Sequence, residues 1–246
     1  MGENIGFLGS GDALVRRKLS TGAWGNWWDS GGAVKLELTA ESEIKSQVLK
    51  GRGTYGQSAD AVTLPKDPGI SITFIRPNRG VLAAHLLGEA ADFSITGASV
   101  TDEEHTCPAV GEGIMLAYRD VSSVTVTEGG SDLVAGTDYE LNAKAGFIKN
   151  LAGTPDATWT VDYTYASGSG FKITGVTTPK VELQIKFDGK NMVDDSDCVV
   201  DVWSAQVAPS GGWDILSDDH SQVELTGICN TPSDKSDPYE VYVYTG

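Results

Sequence analysis

"ISITFIRPNRGVLAAHLLG", Ile70 to Gly88, is written in two rhythms. Ile70, Ile72 and Phe74 alternate with Ser71 and Thr73, the period-two pattern of a half-buried strand. Past Arg76 and Pro77 the spacing changes: Leu82 and Leu86 fall four apart, as do Ala83 and Leu87, with His85 between them. Asn78 is placed to cap a helix start and Gly88 to end it. The stretch predicts a strand followed by a short helix over about 78–88, in a chain that otherwise reads as strand and turn.

Upstream, "VKLELTAESEIKSQV" alternates from Val34 to Val48. Even positions are apolar or small; odd positions carry Lys35, Glu37, Thr39, Glu41, Glu43, Lys45 and Gln47. A single long strand with one wet, charged face is expected. The rival is a strand to Thr39 followed by a short helix carrying a Glu41–Lys45 pair. Downstream, a polar, cysteine-containing loop is expected at "TDEEHTCPAVGEG", and then strands resume. Trp159, Val161, Tyr163 and Tyr165 share one face of "TWTVDYTYA", and Val181, Leu183, Ile185 and Phe187 share one face of "KVELQIKF". "CVVDVWSAQV", "SQVELTGI" and "YEVYVYT" complete the series. The fold class is mainly β: an antiparallel sandwich or barrel of eight or more strands with one flanking helix.

The first 32 residues are rich in glycine and tryptophan, with Trp24, Trp27 and Trp28 clustered. Two readings stand side by side: an extended N-terminal arm with aromatic anchors, or a local cap on the protein's own core. "MGENIGFLGSGD" lacks the basic and apolar regions of a secretory signal. No apolar run approaches bilayer length, so no membrane anchor is expected.

The 246 residues carry 34 acidic and 18 basic side chains, a net charge of −16. Free nucleic acid would be repelled rather than gripped, since phosphate affinity comes from Lys and Arg; plain solubility explains the same charge. Cys107, Cys198 and Cys229 are widely spaced and form no metal-type pair, which fits buried free thiols. "DEEHTC", with Glu103, Glu104, His105 and Cys107, imitates a metal cluster without matching a zinc spacing. "VDDSDC" lacks the glycine and terminal glutamate of an EF-hand loop. There is no nucleophile elbow, phosphate loop or H-E-x-x-H. No catalytic residue, cofactor or metal is expected, and the chain does not read as an enzyme.

Three segments together resemble the major tail tube proteins of long-tailed bacteriophages. They are "GFLGSGD" with "GNWWDSGGAVKLELTAESE", then "VTLPKDPGISITFIRPNRGVLAAHLLG", and "LQIKFDGKNMVDDSDCVVDVWSAQVAPSGGWDILSDDHSQVELTGI". In that family a glycine-containing lead-in precedes an "xKLExxxE" strand, and a polar turn precedes an "N-x-x-x-L-A-x-x-L-L-G" helix. A "DGKN" turn there precedes a strand pair. Gly80 departs from the pattern, standing where the family more often has Glu or Asn, and Arg76-Pro77 replaces a more acidic turn.

The resemblance implies one tail tube domain over 1–246: an N-terminal arm (1–32), strands plus helix (33–118), a hairpin region (119–178) and C-terminal strands (179–246). It implies a structural virion protein whose rings, generally hexameric, stack into the hollow phage tail tube through which genomic DNA passes. The implied partners are further copies, a tape-measure protein and tail end-cap proteins; the implied place is the virion tail, assembled in the bacterial host cytoplasm. Lys35, Glu37, Glu41, Glu43 and Lys45 are then candidates for the lumen face, and Trp24, Trp27 and Trp28 for inter-subunit anchors. The alternative is a β-sandwich virion decoration protein or a receptor- or glycan-binding module; a glycan-acting enzyme is more distant.

Overall fold

The computed structural model describes residues 6–30 and 32–244. It is mainly β, 55% strand and 3% helix. In chain order the first elements are β1 (Gly9–Arg17), β2 (Trp28–Asp29), β3 (Ala33–Thr39), β4 (Ser42–Val48), β5 (Ser58–Pro65), β6 (Gly69–Phe74), α1 (Arg79–His85) and β7 (Glu89–Ile95). There follow β8 (Ala98–Thr106), β9 (Gly113–Met115), β10 (Val121–Glu128), β11 (Ser131–Asp132), β12 (Tyr139–Asn142), β13 (Phe147–Asn150), β14 (Thr158–Tyr165) and β15 (Gly168–Thr174). The chain closes with β16 (Val181–Asn191), β17 (Asp197–Pro209), β18 (Val223–Cys229) and β19 (Tyr239–Val243).

Where the sequence ran one domain through 1–246, the chain gathers into two compact units. One comprises 1–91 with 173–246, and the other comprises 92–172. Alternation announces strands, but it does not say which sheet a strand joins. β7 and β15 pair with each other and carry the chain out of the first unit and back.

The first unit is built on an eight-stranded sheet ordered β2-β1-β16-β17-β18-β6-β3, with β19 also pairing to β17. Ile70, Ile72 and Phe74 point to its core, together with Val181, Leu183 and Ile185 and with Val223 and Leu225, as their alternation requires. α1 covers this face, burying Val81, Ala83, Ala84 and His85. The Asn78 side chain accepts hydrogen bonds from the Gly80 and Val81 amides, both at 2.9 Å, and caps the helix as expected. The far end differs in detail. Leu87, not Gly88, takes the left-handed conformation (φ 49°). The Gly88 amide donates to Ala83 O and the Leu87 amide to Ala84 O, the paired bonds of a Schellman ending. Gly88 is needed for space: a Cβ there would lie 2.2 Å from the Thr174 carbonyl oxygen.

Three other expectations are corrected. Residues 9–17 are not an arm but strand β1, paired along its length with β16, with Ala13 and Val15 buried; residues 1–5 lie outside the described residues. "DGKN" is not a turn: Asp188–Asn191 continue β16, paired with β1 on one side and, to Lys190, with β17 on the other. The polar "TDEEHTC" stretch is largely strand β8, paired with β14.

The second unit is a sandwich of a four-stranded sheet, β11-β10-β14-β8, and a three-stranded sheet, β12-β13-β9. Trp159, Val161, Tyr163 and Val126 from one meet Ile148 and Tyr139 from the other. β8 hides its polarity by internal pairing. The Glu103 carboxylate accepts from the Tyr163 hydroxyl, from His105 Nε2 at 2.8 Å and from the Ala117 amide at 3.0 Å. Burial alone would push this carboxyl up, but those bonds outweigh it and hold the group below the usual carboxylate range.

Candidate assembly surface

The five charged residues expected on one long strand are divided by a break at Ala40 and Glu41. Lys35 and Glu37 lie on the polar face of the large sheet and form an ion pair at 2.8 Å. Lys35 also approaches Glu224 at 3.8 Å, and Glu224 accepts from the Ser71 hydroxyl. The bond to Glu37 raises the Lys35 ammonium pKa. Glu41 sits in the break, 3.9 Å from Lys66. Glu43 and Lys45 belong to a separate two-stranded hairpin, β4–β5. The continuous strand is therefore corrected, and so is the rival helix.

That hairpin is the most unusual element of the first unit. Every residue from 39 to 67 is exposed. In the register, Glu43 opposes Leu64 and Lys45 opposes Val62 on one face, while Ile44 opposes Thr63 on the other. Ile44, Val48, Val62 and Leu64 stand in solvent, and Tyr55 near the tip is 79% exposed. A two-stranded hairpin without a covered face is marginally stable in water. Apolar side chains on both faces are what such an element needs in order to be covered by something else. The sequence carried a signal for it: Gly51, Gly53 and Gly56 cluster between two alternating runs.

The tryptophans divide between two roles. Trp28 pairs opposite Val15 and packs against the core. Its ring also covers Gly80, where a Cβ would come within 2.9 Å, so the departure at Gly80 has a local cause. Trp24 bridges to Lys18. Trp27 is 40% exposed, with the Arg16 guanidinium 4.6 Å from its ring. Trp28 thus caps the protein's own core, while Trp24 and Trp27 face outward with Arg16.

The sheet also leaves edges open among the described residues. β3 pairs only with β6, and β19 only with β17. Val241, Tyr242 and Val243 of β19 are exposed. A cleft of about 800 Å³ is lined from both strands, by Val34, Leu36 and Leu38 and by Val241 and Val243, with Phe187 and Val200 at its floor. Apolar edge strands of this kind invite pairing with another chain.

Chemistry-bearing groups, by contrast, are dispersed, and several are buried. Among the described residues no group of three or more His, Cys, Asp or Glu is placed to hold a metal ion. All three cysteines are buried and free, and burial pushes the Cys229 thiol up to about 11. His85 is buried, and desolvation lowers its pKa. Glu103 and His105 bond each other, and Glu104, one residue between them, is exposed. Asp194 turns back on Ser196. No helix among the described residues is long and apolar enough to cross a membrane.

No curated protein matches the chain in sequence. A family model spans residues 6–239, nearly all of both units, and the chain belongs to the family described as "Protein of unknown function UCP028589".

Proposed function

We propose that this protein is a structural, self-assembling subunit whose rings stack into a hollow tail tube. The observation that carries the reading is the exposed β4–β5 hairpin, an element with apolar residues on both faces that stand in solvent among the described residues. The open apolar edges at β3 and β19 support it, because closure across copies removes such edges. In this reading the β6–β3 end of the polar sheet face, bearing Lys35 and Glu37, lines the channel, and there the acidic balance lets DNA slide without the cation array that would hold it. Tape-measure and end-cap proteins are the further partners, and the virion tail is the place.

The test is a loop swap. Replacing residues 42–65 with a short Gly-Ser linker should leave both units folded, since the segment adds nothing to either core, and should abolish association in sedimentation velocity. Association equal to that of the intact chain would overturn the role given to the hairpin.

A second reading is favoured by one feature of the second unit. An open groove of about 870 Å³ is lined by Phe93, Tyr118, Arg119, Asn142, Lys144 and Tyr165. Tyr118 and Tyr165 stack with centroids 3.8 Å apart. Aromatic faces beside amide and charged groups suit a sugar ring, which would make the protein a glycan-binding decoration of the virion. Binding of the full chain on a glycan array, lost in Tyr118→Ala, would support it; an array with no signal would remove it.

A further inference from the structure

At the β1–β16–β17 end of the large sheet, away from β3, lies a cluster at odds with a net charge of −16. Arg16, Lys18, Lys180 and Lys235 surround a cavity of about 580 Å³ walled by Trp24 and Trp203. Arg16, Lys18 and Lys235 lie over aromatic faces. Arg16 lies 5.5 Å from the Trp24 ring and 4.6 Å from Trp27, and Lys235 Nζ lies 3.7 Å above Trp203. Arg16 Nε donates to Gln184 Oε1 at 2.5 Å, which fixes the guanidinium in place. Lys18 is paired with Glu182 at 2.8 Å, and that carboxylate also accepts from Ser204. Asp234 lines the cavity as well. Arg16, Lys180 and Lys235 have no carboxylate within ion-pair distance among the described residues, and the Trp203 Nε1 donor is buried without a partner. Cations stacked on tryptophan, with a spare N–H donor, make a preformed seat for an anion with an apolar flank.

The same unit displays a segment of that chemistry. In the loop between β17 and β18, residues 214–220 are all exposed, with Ile215 at 74% and Leu216 at 93%. Asp214, Asp218 and Asp219 flank this pair. The loop is preorganised: the Asp214 carboxylate accepts from the Leu216 amide at 2.9 Å, and Trp213 packs into the core at its root. Within one chain the loop does not line the cavity.

We infer that the Asp214–Asp219 loop of one copy docks into the Trp24–Trp203 cavity of the next, its carboxylates meeting Arg16, Lys180 and Lys235 and its Ile215–Leu216 pair meeting the tryptophans. Charge complementarity selects this occupant over nucleic acid, which the acidic chain repels and which offers no aliphatic pair. The contact joins two different patches, so it is head-to-tail and propagates into rings or filaments. It rests on the self-assembly proposed above and gives that assembly a specific joint.

The test is a charge swap by sedimentation velocity and negative-stain microscopy, with K180E/K235E reversing the cavity and D218K/D219K reversing the loop. Each variant alone should need at least about tenfold more protein to associate than the wild type, because like charges now meet at every joint. Mixed in equal amounts, the two should associate like wild type, since every remaining cavity finds a loop of opposite sign. Wild-type association with unaffected single variants would overturn this joint and leave self-assembly standing. Single variants that fail, with a mixture that also fails, would overturn the contact between copies. Wild-type binding of a short duplex DNA, lost in K180E/K235E, would reassign the cavity to phosphate. A wild type that stays monomeric at every concentration would remove the self-assembly reading and this joint together.

Discussion

Glycines decide much of this fold, and they are also where the sequence was hardest to read. A Cβ on Gly11 would sit 2.4 Å from the Asp188 carbonyl oxygen, and one on Gly189 would lie 2.5 Å from the Ser10 carbonyl oxygen. Both residues let β1 and β16 approach closely, yet in the sequence they look like the glycines of an arm and a turn. Only Ala13 and Val15 advertise the strand, too few for a clear alternation. The helix and its start were legible because Asn78 and the four-residue spacing act locally, whereas its end falls at His85, short of the expected Gly88. At this scale, Gly88→Ala should lower stability by about 1–3 kcal/mol by forcing a Cβ against Thr174. Gly168→Ala, with open space around it, should stay within about 0.5 kcal/mol. Denaturant midpoints with unchanged slopes distinguish the two. Glu103→Gln keeps the shape of the Tyr163–Glu103–His105 cluster while removing its charge. It should cost the second unit about 1.5–3 kcal/mol, a loss from bonds to an ionised group, read as faster amide exchange in β8 and β14.

Elements were legible wherever an apolar face alternates against a core. β6, β14 and β16 sit as their spacing requires. Alternation failed at Ala40–Glu41, because a chain that leaves one sheet and enters a free hairpin can keep its period unbroken. It failed at β8 for the opposite reason: Glu103 and His105 point inward as a bonded pair, which hydropathy reads as loop. The same logic sets the expected result for the N-terminus. Removing residues 1–17 takes away β1, uncovers β16 and exposes the apolar surface buried by Ala13 and Val15. The first unit should then fail to fold, with loss of near-UV circular dichroism from its tryptophans. A soluble truncated chain with native spectra would show that β1 is dispensable. Replacing the exposed hairpin 42–65 predicts the reverse, a native spectrum without association.

Acid should act on the two units in different windows. Glu103, Glu128 and Glu182 have lowered folded pKa values. The stability each contributes is present above its ordinary value of 4.5 and is lost as pH falls through the lower folded value. His85, in the first unit, is held neutral by desolvation, so its folded pKa lies below the ordinary 6.5. The unfolded chain takes up that proton first, and the first unit loses stability as pH falls from 6.5 toward the lower folded value. Hydrogen exchange should show Ile72 losing protection before Val126 on acidification; equal loss at both would contradict the assignment of His85. The candidate surface itself was only half legible. Charge at Lys35 and Glu37 was readable, whereas the cavity of Arg16, Lys180 and Lys235 joins residues far apart in the chain, and no local pattern announces it.

Assembly is decided by cryo-electron microscopy of the purified intact chain at high concentration. Stacked rings around an open channel are expected, with the β6–β3 end of the sheet, bearing Lys35 and Glu37, toward the channel and the β4–β5 hairpin buried against another copy. Particles that remain single chains at every concentration, or polymers in which the hairpin stays in solvent and that sheet face lies on the outer wall, would contradict it.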